Sequence, residues 1–149
     1  MTQSTIKRRN DDLDEALALL HFAFRAVVAR PDRMLASRGL SRVHHRILYF
    51  VRRNPGISVN QLLEILGVSK QALNAPLRAL VRKKLVSMAA SGEDGRVKQI
   101  RLTAKGEGFE MTLSGDQRAR FAAAFQRAGS RKEAGWRETM RYLAENGAG

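Results

Sequence analysis

The 149-residue chain contains no cysteine. That absence removes disulfides, thiolate metal sites, a cysteine nucleophile and a thiol redox sensor together, and it points to an intracellular, cytoplasmic chain. No run of about 18 apolar residues occurs, which excludes a membrane-spanning helix. The first residues are polar and basic, without the apolar segment that marks a secretory signal. Neither GxSxG, HExxH nor a P-loop is present, and no carboxylates cluster, so nothing supports an enzyme. Internal repeats and low-complexity segments are lacking too. The only histidines are His21, His44 and His45; His44 and His45 are adjacent and so point to different faces of a helix, which does not make a metal site. No cofactor and no metal are expected.

Acidic residues are scarce in one region. The formal net charge is +13. Residues 1–40 contribute +2 and residues 106–149 contribute +1, whereas residues 41–105 hold thirteen Lys/Arg against three Asp/Glu, or +10. A segment this basic fits a polyanionic partner, because clustered Lys and Arg displace the counterions of a phosphate backbone. A basic surface kept only for solubility is the plainer alternative.

What is present is mostly helical periodicity. Residues 1–10, with Lys7, Arg8 and Arg9, read as a flexible arm. Leu13, Leu17, Leu20, Phe24 and Val27 recur on one face and predict a helix over 11–30, ended by Pro31. Ser41 is a candidate N-cap for a helix to Arg53, with Val43, Ile47, Leu48 and Val51 inward and Arg42, Arg46, Arg52 and Arg53 outward. Asn54-Pro55-Gly56 is a turn. Ser58 and Gln61 have capping-box spacing, and Gly67 suits a left-handed helix terminus. Ser69 then caps a helix to about Lys84, with Leu73, Leu77 and Leu80 as its buried stripe. Pro76 sits inside that helix and predicts a kink; a break at Ala75 is the competing reading. Residues 85–89 and 97–102 read as hairpin strands around the turn dipeptide Asp94-Gly95. Thr103 caps a further helix, expected to break near Ser114-Gly115. Two more helices follow, over 116–128 and to about Glu145, the second opened by Ser130 and Glu133.

Two short helices around Gly67-Val68-Ser69, followed by a charged hairpin, spell a helix-turn-helix with a wing. At about 100° per residue, Lys70, Gln71, Asn74, Arg78 and Arg82 share a face away from the buried stripe. These residue types contact base edges and phosphates. Lys84 and Lys98 add cations beside them.

The order of these elements resembles the MarR family of winged-helix transcription regulators. The resemblance rests on Ile57-Ser58-Val59-Asn60-Gln61-Leu62, Gly67-Val68-Ser69-Lys70-Gln71-Ala72-Leu73, Lys84-Leu85-Val86, Glu93-Asp94-Gly95-Arg96 and Leu102-Thr103-Ala104-Lys105-Gly106. It implies a mainly α fold with a small β-hairpin wing. A winged helix-turn-helix core over 39–103 is flanked by a dimerisation helix and connector over 11–38 and by dimerisation helices over 104–146, with 147–149 a tail. It implies a homodimer that binds double-stranded DNA at a pseudo-palindromic site, as a repressor released by a small aromatic or anionic effector. Residue by residue, Ser69, Lys70, Gln71, Asn74 and Arg78 match positions that face DNA. Asp94 and Arg96 match a wing pair in which the acid orients the arginine, and Ser41 and Arg42 match backbone contacts. An effector pocket would be lined by His21, Phe24, Arg25, His45, Tyr49 and Phe109. The alternatives are a winged-helix module for RNA or a protein partner, and a metal-responsive regulator of the same fold. The basic helix has no aromatic platform nearby, which counts against single-strand or RNA stacking.

Overall fold

A computed structural model describes residues 1–91 and 97–146 of the chain. The first helix, α1, spans Gln3–Ala36. It takes in most of the segment expected to be an arm, because Thr2 supplies an N-cap whose hydroxyl accepts from the Thr5 N–H. Nor does α1 stop at Pro31. Proline strips the Val27 carbonyl of its helical N–H donor, and the Gln117 side chain, from a helix far along the chain, donates to that carbonyl at 3.4 Å. Pro31 itself is buried, as are Val28 and Leu35. Every residue from Met1 to Arg25 is exposed.

The next helix, α2, spans Arg42–Arg53, with Ser41 as N-cap. The His44 ring reaches back, and its Nδ1 accepts from the Ser41 N–H at 3.0 Å. A short strand β1, Ile57–Ser58, leads into α3, Val59–Leu66. Here the capping box closes as its spacing requires: the Gln61 N–H donates to Ser58 Oγ at 3.1 Å and the Ser58 N–H to Gln61 Oε1 at 3.0 Å. Gly67 ends α3 in the left-handed conformation, φ 65°.

Helix α4, Lys70–Arg82, begins with Ser69 Oγ accepting from the Ala72 N–H. It continues through Pro76 rather than breaking at Ala75. The carbonyl that loses its donor belongs to Ala72, an exposed residue that water can reach, and Leu73, Leu77 and Leu80 hold both halves on the core. The helix leaves by a Schellman turn: the Leu85 N–H returns to the Leu80 carbonyl and the Lys84 N–H to that of Val81. The left-handed position of that turn is Lys84, φ 60°, among the described residues the one non-glycine with positive φ.

Strands β2, Val86–Ser91, and β3, Val97–Leu102, pair antiparallel with Val86 opposite Leu102 and Met88 opposite Ile100. β1 adds to the free side of β3, Ile57 opposite Ile100, making a three-stranded sheet in the order β1-β3-β2. The expected Asp94-Gly95 turn and the wing pair Asp94 and Arg96 lie outside the described residues.

Thr103 caps α5, which spans Ala104–Ala128 without the expected break. Gly106 is there for proximity: a Cβ on it would sit 1.9 Å from the Leu85 carbonyl oxygen. Ser114, read as a weak point, is buried and its hydroxyl donates to Glu110 Oε1. The true end is Gly129, φ 93°, followed by α6, Ser130–Asn146. Ser130 is thus already inside α6 rather than its cap. One hydrophobic cluster joins the lobe formed by α2, α3, α4 and the sheet to the long helices α1 and α5, with Ile47, Leu48, Leu62, Leu80 and Ile100 from the lobe and Leu35 and Leu113 from the helices all essentially inaccessible.

Candidate nucleic-acid interface

The exposed side of α4 carries Lys70, Gln71, Asn74, Arg78 and Arg82. Part of this row walls a groove of about 530 Å³ between α4, the start of α3 and β3. Its polar lining is Ser58, Asn60, Lys70, Asn74, Arg78 and Lys98. Among the described residues no carboxylate lines it, and Lys70, Arg78, Arg82, Lys84 and Lys98 form no ion pair. Cations beside amide and hydroxyl groups are the combination that binds phosphates and reads base edges. Ser58 and Asn60 were missed by sequence reasoning. Their place in the groove depends on how α3 crosses α4, and no local signal carries that.

Other expected residues fall elsewhere. Ser69 is occupied as the α4 cap. Ser41 is exposed at the start of α2. Arg42 is exposed beside it, with its Nε donating to Asp32 at 3.1 Å and its guanidinium 5.3 Å from the centre of the Phe24 ring. Lys84 is exposed at the left-handed end of α4, and its carbonyl accepts from Thr103 Oγ1 at 2.7 Å.

Three of the six expected effector-pocket residues do meet. Phe24, His45 and Tyr49 line a cavity of about 140 Å³ between α1, α2 and α5, together with Arg42, Arg46 and Gln117. His21 and Arg25 are exposed on α1 and line no part of it; the His21 ring sits edge-on to Phe22. Phe109 lies in a separate groove with Met34 and Lys105, under the Arg38 guanidinium at 4.0 Å. Where α5 crosses α2 decides which of the expected residues meet. A larger groove of about 870 Å³ opens between α2, α5 and α6, walled by Tyr49, Arg53, Phe121, Phe125, Trp136 and Arg137.

Between these cavities lies a buried polar cluster that the sequence did not announce. Glu110 is 0 % exposed. Its Oε1 accepts from Arg53 and Ser114, and its Oε2 from Arg52 at 2.8 Å. The arginines read as outward therefore turn their tips onto α5. Burial alone would raise the Glu110 carboxyl, but the hydrogen bonds from Arg53, Ser114 and Arg52 outweigh it and hold it below its ordinary value. His45 Nε2 lies 3.1 Å from Ser114 Oγ. Ser114 has already given its single proton to Glu110, so the imidazole is the donor. Burial lowers the His45 pKa, with Glu110 partly opposing, and burial lowers that of His44 as well. Among the described residues no group of three or more His, Asp or Glu is arranged to hold a metal ion, and no helix is long and apolar enough to cross a membrane.

A helix-turn-helix beside a three-stranded sheet, with a cationic groove on its outer helix, defines a winged-helix nucleic-acid-binding protein. The profile of the MarR family matches residues 38–97. The HTH-type transcriptional regulator PetP of Rhodobacter capsulatus is 37% identical over 136 residues, which cover 91% of this chain and 82% of PetP. The chain belongs to the MarR family of transcription regulators. Among solved structures, a MarR family transcription regulator superposes with a TM-score of 0.78 at 20% identity, covering 95% of this chain and 93% of its own. The S. aureus MepR–DNA complex superposes with a TM-score of 0.69 at 16% identity, covering 87% and 95%.

Proposed function

We propose that this regulator acts in the cytoplasm as a homodimer that binds a pseudo-palindromic double-stranded DNA site and represses by occupying it. The observation that carries the reading is the groove itself. Lys70, Asn74, Arg78 and Lys98 converge on it from two elements, with no acid among its described lining residues. A protruding helix with this chemistry suits the major groove, and two copies related by a two-fold would place their α4 helices about 10 bp apart. Pairing is supported by α1, on which Leu13, Leu17, Leu20 and Phe24 form a single stripe and are all about half exposed or more. Tyr142 and Leu143 are also more than half exposed on α6. An apolar surface of this extent is the mark of a protein contact.

Control by a small molecule is assigned to the cavity between α1, α2 and α5. Its roughly 140 Å³ matches the size that accepts a single aromatic ring. Phe24 and Tyr49 offer ring contacts, and Arg42 and Arg46 offer charge to an anionic substituent. An aromatic acid of one ring is the fitting class. Its binding would release DNA by favouring a dimer whose α4 helices no longer match the groove spacing.

The test is a mobility-shift titration with a selected duplex, a scrambled duplex and a structured RNA at several salt concentrations. Tight binding to the selected duplex alone is expected. Arg78→Ala and Asn74→Ala should each cost about 1–3 kcal/mol on the selected duplex and little on the scrambled one. Equal binding to all three nucleic acids by the parent protein would overturn sequence-specific DNA recognition.

A further inference from the structure

The Glu110 cluster is more elaborate than packing requires. Around it, α2 and α5 already share an apolar contact through Ile47, Leu48, Val51, Phe109 and Leu113, all in one core. Replacing a buried ion pair by apolar side chains is often neutral or stabilising, so such a pair is a poor source of stability. It is, however, directional. Apolar faces tolerate small slides and rotations; a carboxylate held by two guanidiniums and a hydroxyl at 2.7–2.8 Å has one register. Arg53 is itself fixed, donating to the Tyr49 carbonyl at 3.0 Å and lying 3.5 Å from the centre of the Tyr49 ring. His45 adds a third tie between the helices through Ser114. Glu110 and Ser114 belong to α5, and Arg52, Arg53 and His45 to α2. The cluster therefore joins a single turn of the long helix to α2 of the reading lobe.

We propose that Glu110 is a positioning residue that sets the angle between the reading lobe and α5, and through it the half-site spacing the dimer accepts. The proposal rests on the two-fold DNA-binding reading above. One base pair of spacing moves a half-site by about 3.4 Å and turns it by about 35°. A lobe held in one register cannot follow that change without deforming the duplex. A lobe held only by apolar contact can.

The experiment selects a duplex from a random pool with the parent protein. It then measures binding to that duplex with one base pair removed from, or added to, its centre. The parent should lose at least about tenfold on either altered duplex. Glu110→Gln keeps the shape but cannot accept from two arginines and Ser114 together. It should lose about tenfold on the selected duplex while its penalty for altered spacing shrinks to about threefold or less. Ser114→Ala, which leaves both ion pairs in place, should fall between and covers the case in which Glu110→Gln does not fold. Sedimentation and thermal melting verify that each variant remains folded and in the parent's oligomeric state. If the folded variants keep the parent's spacing profile, whatever their affinity, Glu110 does not position the lobe. A parent that discriminates sequence but not spacing overturns the proposal and leaves DNA recognition standing; a parent that selects no duplex removes both.

Discussion

The reading lobe and the long helices solve the burial problem in opposite ways. Between Leu40 and Ile100 the large aliphatic side chains close on one another, and Ile47, Leu48, Val51, Leu62, Leu80 and Ile100 are sealed from solvent. Over the first 25 residues of α1 nothing is buried, although that helix carries Leu13, Leu17, Leu20, Phe22 and Phe24. The lobe is complete within one chain. The outer helix, which spans about 50 Å at 1.5 Å per residue, makes sense only against something else. Structure inside the lobe should therefore depend on its own packing, and structure of the arms on a second copy.

Breaking the arms should have the largest effect. Leu17→Glu with Leu20→Glu places charge on the exposed stripe of both copies. Loss of two buried leucines per copy would weaken a dimer by roughly 3–6 kcal/mol for each copy altered. Sedimentation should show monomer, and specific DNA binding should vanish with it, while the lobe's circular dichroism persists. Next comes the lobe itself. Leu48→Ala opens a cavity in a sealed core and should cost about 2–5 kcal/mol in chemical denaturation, whether or not the arms are paired. A dimer loss of similar size from Leu48→Ala would mean that the two regions are not separable.

A smaller effect tests strain within the lobe. Lys84 occupies a left-handed position that glycine fills without steric conflict. Lys84→Gly should raise stability by about 1 kcal/mol yet weaken binding to every duplex alike, since a phosphate contact carries no sequence information. Stability gained with DNA binding unchanged would assign Lys84 no role on DNA. The last test uses pH at the seam between the regions. The folded His45 resists protonation, whereas in the unfolded chain it takes a proton below its ordinary value of 6.5. The unfolded state then binds more protons, so its contribution to stability is complete above pH 6.5 and declines as the pH falls. Melting temperature should drop across that window in the parent and less in His45→Gln. Glu110 acts in the same direction at lower pH. Its stabilisation is present above the ordinary carboxyl value of 4.5 and is lost as the medium becomes more acid.

Where a feature depends on neighbours in sequence, it was mostly legible, the Thr2 cap of α1 and the start of α6 at Ser130 being exceptions. Ser58 with Gln61, Ser69, Gly67 and Thr103 each satisfy backbone groups within one turn of themselves, and each does so in the structure. The leucine stripe of α4 put Lys70, Asn74 and Arg78 on the opposite, exposed face for the same reason. Three readings failed where the answer lay far along the chain. Pro31 was taken for a helix end because the donor to the Val27 carbonyl is Gln117. Arg52 and Arg53 were placed in solvent because their partner, Glu110, is almost sixty positions away. Phe109 was grouped with Phe24 and His45, yet α5 presents it to Arg38 instead.

Helix period, caps and the surplus of cations over 41–105 are properties of consecutive residues, and they outlined most of the elements, their faces and the expectation of a polyanionic partner. Which faces meet is a different matter. The groove at Asn60 and Lys98, the cavity at Tyr49 and the sealed carboxylate of Glu110 exist because helices and strands cross at particular angles. Those angles are set by packing among residues tens of positions apart, which no local window of the chain contains.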